Sequence, residues 1–275
     1  MNYDRLINGI LGLKDKGLGI FSLGKSCLNQ DIWCAKCGRG GRKGIVVGGT
    51  HSREWITTAL TVALAEREAE CAYDRTVYFV PCLNPDGVRL ALDGADFIAD
   101  EEVKRYLIEL NGGEDFSLYK SNGRGVDINL NFPARFGEGK SNLKSPSKEN
   151  YIGEYPASEN ETQAIMKLTE RVLPDFTVSY HSKGEVVYYG LEWNASLTDR
   201  DRPMAERVSR TLSYDAEVAL GSCGGYKDWC LDALGIPSLT VEVGSDALSH
   251  PIGEESLPVI FEQNKLLLDV IFDSL

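Results

Sequence analysis

The amino-acid sequence predicts an α/β fold, with a mostly buried sheet and helices on both of its faces. Four short apolar runs rich in β-branched or aromatic residues supply the sheet: 44–49 (GIVVGG), 76–83 (TVYFVPCL), 176–180 (FTVSY) and 238–243 (SLTVEV). Their length and composition suit buried strands. Helical stretches are expected at about 54–70, 159–172, 201–213, 225–234 and 255–274. Strands alternating with helices imply a sheet covered on both sides.

At 275 residues the chain is long enough to bury a substantial core, and we expect one catalytic domain over 1–275. There is no internal repeat, low-complexity run or interdomain linker. Apolar residues (43%) and charged residues (25%) are in ordinary globular proportion, which argues against a disordered chain. No apolar run approaches the roughly 20 residues that cross a bilayer, so no membrane span is expected. The first residues, MNYDRLINGILGLKDKG, scatter their charges and lack an unbroken apolar stretch with a cleavage site, making the cytoplasm the expected compartment. The net charge of −12 comes with no basic stripe, which excludes a nucleic-acid partner.

Seven cysteines form no regular framework, so reduced thiols are expected. Cys34 and Cys37 make one CxxC in a Gly-rich, hairpin-like stretch. Without a second pair or nearby His partners it suits a structural role better than a zinc knuckle or a redox pair. Residues 133–157 (PARFGEGKSNLKSPSKENYIGEYPA) are the most irregular region and read as a surface excursion beside a site.

In sheets of this kind functional side chains gather at strand ends. His51, Asn84, His181 and Glu242 all fall at or just beyond the end of a predicted strand. His51 stands at the mouth of a helix with Glu54 three positions on, so one helical turn can aim both side chains at one point. An imidazole and a carboxylate suit Zn²⁺, which in catalytic sites takes three protein ligands and keeps one position open. His181 is the natural third ligand; His250, in the loop SHPIG, is less suited. A glutamate inside the apolar run TVEV is expensive to bury without a task or a partner.

Six blocks then occur in one order: GGTHSREW (48–55), LNPDG (83–87), GVDINLNFP (125–133), Tyr180–His181–Ser182, GGYKDW (224–229) and TVEVG (240–244). Together they resemble the zinc carboxypeptidase family, from about residue 18 to near the C-terminus, with no propeptide ahead of them. The resemblance implies a three-layer α/β/α fold with a twisted sheet of mixed parallel and antiparallel strands. It implies one zinc ion held by His51, Glu54 and His181. It also implies Glu242 as the general base that passes a proton from the attacking water to the leaving nitrogen. Arg124 is the implied stabiliser of the oxyanion, with Lys120 as a substitute. Asn129 is the implied contact to a substrate carboxylate.

The chain departs from the family where exopeptidases clamp a C-terminal carboxylate. Leu130 stands in place of an Arg, and Leu220 in place of a capping Tyr, which puts simple carboxypeptidase behaviour in doubt. Lys227 stands at the floor of the specificity pocket and favours a substrate side chain bearing a carboxylate. Tyr226 beside it completes the predicted substrate contacts, and Lys183 and Arg135 add positive charge nearby. HSKGEVVYY and GGYKDW resemble the branch that cleaves γ-D-glutamyl–meso-diaminopimelate bonds in peptidoglycan peptides, so a murein peptide is the expected substrate. Two other readings stay open: a carboxypeptidase for acidic C-terminal residues, and a catalytically silent zinc module that binds peptidoglycan fragments. Retention of Glu242 argues against the second, since a pure binder needs no proton shuttle. A deacylase of the aspartoacylase type fits the GVDIN–GGYKDW pairing less well.

Overall fold

The computed structural model describes residues 1–71 and 74–275. Helix α1 (Tyr3–Gly12) precedes strands β1 (Gly19–Lys25), β2 (Asp31–Gly38) and β3 (Arg42–Val47). After α2 (Ile56–Glu70) and β4 (Arg75–Val80) come α3 (Pro85–Asp93), α4 (Glu101–Asn111) and α5 (Asn160–Val172). Then follow β5 (Phe176–His181), β6 (Val186–Tyr188), α6 (Ala195–Leu212), β7 (Asp215–Glu217), α7 (Tyr226–Leu234) and β8 (Ser238–Glu242). Helices α8 (Leu257–Asn264) and α9 (Leu267–Phe272) close the chain.

The strands form one sheet in the order β1-β2-β4-β3-β5-β8-β6-β7. The inner run β4-β3-β5-β8 is parallel, while β1, β2 and the β8–β6 pair add antiparallel contacts. This is the mixed sheet that the resemblance implied. Side chains alternate across it. Val46 enters a core covered by α1, α2, α6, α8 and α9, whereas Ile45 and Val47 enter a second core beneath α5 and α7. Fully burying a side chain of this size is worth about 1.5–3 kcal/mol, so the two cores hold the strand ends firmly.

The four predicted strands and five helical stretches are present with shifted ends. Glu54 lies in a short 3₁₀ turn, Ser52–Glu54, and α2 starts only at Ile56. Helix α6 begins at Ala195 rather than 201, because the Asn194 side chain caps it by accepting the Leu197 N–H at 3.2 Å. The C-terminal stretch is divided between α8 and α9 by a break at Lys265–Leu266. Helices α1, α3 and α4 and strands β1, β6 and β7 were not foreseen, and β2 only as part of a hairpin-like stretch.

Cys34 and Cys37 sit on β2 three residues apart and therefore face opposite sides of the sheet, Cys34 in one core and Cys37 against the other. That separation accords with a structural role. No helix of the described residues is long and apolar enough to cross a membrane.

A polar seam ties the start of α3 to the start of α5. Asp86 accepts hydrogen bonds from the Ser26 hydroxyl (2.6 Å), the Cys27 thiol (3.2 Å) and the Leu28 N–H (2.8 Å). Glu161 is fully buried nearby; Asn122 donates to its Oε2 at 3.4 Å, and its Oε1 has no partner. Burial, reinforced by Asp86 and Glu159, pushes its pKa from 4.5 up to about 8. The folded chain therefore keeps this proton over a range in which the unfolded chain has released it. Stability is fully present below about pH 4.5 and falls as pH rises through about 8. Glu161→Gln should flatten that slope and be the more stable protein at pH 9, by about 2 kcal/mol in urea titrations. Parallel pH profiles for the two proteins would show that Glu161 does not carry the dependence.

Candidate metal and catalytic centre

The parallel strands deliver the chemistry at one edge of the sheet. His181 ends β5, Glu242 ends β8, and the two are register partners, so their side chains leave the same face side by side. His51 lies four residues beyond β3, in a loop that continues the ladder through Gly48 N–H to Val80 O (3.0 Å) and Asn84 N–H to Gly49 O (2.9 Å). Gly49 has φ +58°, and a Cβ on Gly48 would lie 2.5 Å from Thr61 Oγ1, so this loop passes against α2 only as a glycine pair. Asn84 lies behind it, fully buried, donating to Thr50 O (3.2 Å) and Ser121 O (3.1 Å). Its role is to brace the His51 loop.

His51, Glu54 and His181 are all buried, and their ligand atoms lie within 4.8 Å of one another. His51 Nδ1 is 2.9 Å from Glu54 Oε1 and 3.1 Å from His181 Nδ1; His181 Nδ1 is 3.1 Å from Glu54 Oε2. Two imidazole nitrogens and a carboxylate turned on one point are a poor apolar core but a fitting donor set for zinc. Although burial disfavours its charge, the two histidines hold the Glu54 carboxyl well below the usual range, so it is ionised as a ligand must be. His250 is not part of this cluster.

Behind the ligands stands a residue that the sequence reading passed over. Asp127, fully buried, lies 3.1 Å from His51 Nε2 and pairs with Lys120 Nζ at 2.7 Å. Burial alone would raise its pKa, but Lys120 and His51 together hold it low. An anionic Asp127 accepts the Nε2 proton, which leaves Nδ1 free to face the other ligands. The signal was present in GVDIN, because an aspartate between Val126 and Ile128 needs a partner if that block is buried.

Glu242 borders two adjoining chambers. One, of about 280 Å³, is lined by His51, His181, Lys120 and Asn129; the other, of about 430 Å³, by Asn129, Tyr188, Thr240, Lys227 and Asp228. Burial pushes the Glu242 carboxyl up to about 7, with Glu54 adding and His181 and Lys120 opposing. A carboxyl tuned towards neutrality beside a cleft is suited to proton transfer.

The model of the zinc carboxypeptidases matches residues 16–252. This chain belongs to the zinc carboxypeptidase family. Gamma-D-glutamyl-L-diamino acid endopeptidase 1 of Lysinibacillus sphaericus is 33% identical over 249 residues, 84% of this chain and 62% of that protein. The chain thus spans less than two thirds of that relative. Murein peptide amidase A of Escherichia coli (strain K12) is 27% identical over 241 residues, 82% of this chain and 83% of the relative. Among solved structures, bovine thrombin-activatable fibrinolysis inhibitor in complex with tick carboxypeptidase inhibitor shares the fold, with a TM-score of 0.83 at 17% identity, covering 100% of this chain and 96% of that one. Murein-tripeptide amidase from Escherichia coli O157 gives 0.58 at 23% identity, covering 90% and 91%.

Within the family's cleft the substrate contacts need correction. Arg124 is exposed and borders neither chamber; Lys120 lines the metal-side chamber instead. Tyr226 is a core residue, 2% exposed, packed on Phe132 and Trp229 with its hydroxyl 2.7 Å from Thr169 Oγ1. Only its N–H faces Asn129, whose Oδ1 accepts it at 3.3 Å. Lys183 donates to Asp246 O (2.7 Å) and Oδ1 (3.2 Å) and lines neither chamber. Arg135 pairs with Glu138 at 2.7 Å and lines a separate surface hollow. Lys227 is buried in the wall of the larger chamber and paired with Asp228 at 2.7 Å.

Asp127→Asn keeps the shape while weakening the hydrogen bond that orients His51. It should lower zinc affinity about 10- to 100-fold in chelator competition. Unchanged affinity would remove Asp127 from the orienting role.

Proposed function

We propose that the protein is a zinc metallopeptidase that hydrolyses the γ-D-glutamyl–meso-diaminopimelate bond of peptidoglycan peptides. The reading rests on one juxtaposition, the His51–Glu54–His181 cluster beside Glu242 at the mouth of a chamber with the buried Lys227 in its wall. The name of the endopeptidase relative, a gamma-D-glutamyl-L-diamino acid endopeptidase, supports it. So does that of the murein peptide amidase.

His51, Glu54 and His181 would hold the zinc. When bound, that ion acidifies water and polarises the scissile carbonyl. The Glu242 carboxylate takes the proton from the attacking water and hands it to the leaving nitrogen, so the amine departs neutral. Lys120 supplies positive charge beside the oxyanion, with Asp127 holding its ammonium in place. Asn129, shared by both chambers, is placed to meet substrate on either side of the bond.

The larger chamber suits diaminopimelate. The Lys227 ammonium has three N–H donors; Gly190 O and Asp228 Oδ1, each at 2.7 Å, take two of them. The third has no acceptor among the described residues and can meet a ligand carboxylate. Asp228 and Glu217 on the same walls supply negative charge for an ammonium. The far end of a diaminopimelate side chain carries both groups.

Purified, zinc-loaded protein should release diaminopimelate from L-Ala-γ-D-Glu-meso-diaminopimelate, detected by mass spectrometry. No release would remove this substrate, and a panel of Glu-, Lys- and Phe-terminated peptides would then test carboxypeptidase action. Glu242→Gln should keep its zinc but lose turnover by about 10²- to 10⁴-fold, because an amide cannot accept the proton. Full activity at unchanged metal content would refute the assigned base. Lys227→Met should erase most of the preference for diaminopimelate over lysine at the same position, a loss on the order of tenfold or more in kcat/KM. A preference left intact would place the recognition elsewhere.

A further inference from the structure

The metal-side chamber holds an unused pair of donors. Two lysines line it, Lys120 and Lys140. The charge of Lys120 is met by Asp127 at 2.7 Å. Lys140, an exposed residue of the irregular segment 133–157 that stands between this chamber and the hollow of Glu138 and Glu192, makes no ion pair among the described residues. Asn142, two residues on, is half-buried and lines the same chamber, and its Nδ2 has no acceptor among the described residues. A buried donor left without an acceptor is unfavourable, so such a group beside a cleft points to a ligand that satisfies it.

These donors are held in place rather than hung from a free loop. The Lys140 N–H donates to Gly221 O at 3.0 Å, and the Leu143 N–H to Asn150 O at 2.8 Å. Asn131, fully buried, binds the far end of the segment through Ile152 O at 2.8 Å. The Lys140 side chain lies across Gly221: a Cβ there would come within 2.7 Å of its Cδ and 3.0 Å of its Nζ. Gly221 also has φ +71°, so glycine suits this crossing for two reasons. The neighbouring wall is Leu130, which offers no donor.

We propose that Lys140 and Asn142 form a carboxylate subsite that grips a substrate carboxylate flanking the scissile bond. The inference rests on the proposed function and names the group that the metal-side chamber recognises. A γ-linked D-glutamyl residue leaves its own α-carboxylate free on the acyl side. Diaminopimelate places another one carbon from the leaving nitrogen. An ammonium and an amide donor take either one by charge-assisted hydrogen bonds.

The test compares wild type, Lys140→Met and Lys140→Arg on three substrates: the parent tripeptide, its D-glutamyl α-amide, and the amide of the diaminopimelate carboxylate next to the scissile nitrogen. Lys140→Met should lower kcat/KM on the parent by about 10- to 100-fold, with zinc content unchanged, and Lys140→Arg should recover much of it. One amidation should cost the wild type a similar factor and cost Lys140→Met almost nothing, which identifies the carboxylate. The same substrates are titrated calorimetrically into zinc-loaded Glu242→Gln with and without Lys140→Met, so binding is read without turnover. Cleavage with no dependence on Lys140, or equal losses on all three substrates, overturns the subsite and leaves the proposed function standing. Lys140-dependent binding without cleavage by wild type overturns the function and keeps the subsite. Neither binding nor cleavage overturns both.

Discussion

The in-register pairing of β5 with β8 is the constraint from which the centre follows. His181 and Glu242 are cross-strand neighbours because Thr177 pairs with Ser238 and the register is kept to the strand ends. A slip of one residue would turn the slipped strand's side chain to the opposite face and part the pair. Phe176 and Val178 on one strand and Leu239 and Val241 on the other are all buried in one core, so a slip would also expose that apolar set. Core packing far from the cleft thereby fixes which residues meet at its edge. The β3 strand does the same for His51, at one remove, through the glycine pair that carries the loop over α2.

Charge burial is the cost of that arrangement, and the structure meets it in nested shells. Glu54 is held between two imidazoles, His51 is held by Asp127, and Asp127 by Lys120. Each member satisfies a group that would be expensive alone in a low-dielectric setting. The chain stops at Lys120, which borders water-accessible space. A second buried group, Asp86 with Cys27 and Glu161, is balanced by hydrogen bonds, the nearby Arg89 and a retained proton.

The legible parts of the site were those that a strand end or a helical turn directs. His51, Glu54 and His181 could be read in part from position and donor type, because a strand end sets where a side chain emerges, while the task of Glu242 came with the family resemblance. Arg124 and Lys120 lie in irregular chain, where no periodicity says which side chain turns inward, and the exposed one was preferred. Tyr226 and Lys227 open α7, and neighbours on a helix point about 100° apart, so one enters the core and the other the chamber. The same logic explains the unforeseen strands. β6 and β7 are three residues each, too short for a period to show, and β1 is a largely exposed edge strand without a clean apolar alternation.

Segment 133–157 was read as an excursion beside a site, and its placement sharpens what the departures at Leu130 and Leu220 mean. Two apolar residues sit where a carboxylate clamp was expected, yet the cleft has not lost its cations: Lys140 lies against Gly221, next to Leu220, and Lys227 lies in the wall of the other chamber. Positive charge has moved from a bidentate fork to two separated ammonium groups, one on each side of Glu242. A fork selects one planar carboxylate in one orientation. Separated point charges instead suit a substrate with several carboxylates spread along it. An ordinary peptide offers one terminal carboxylate, whereas a γ-glutamyl-diaminopimelate linkage presents one on each side of the scissile amide.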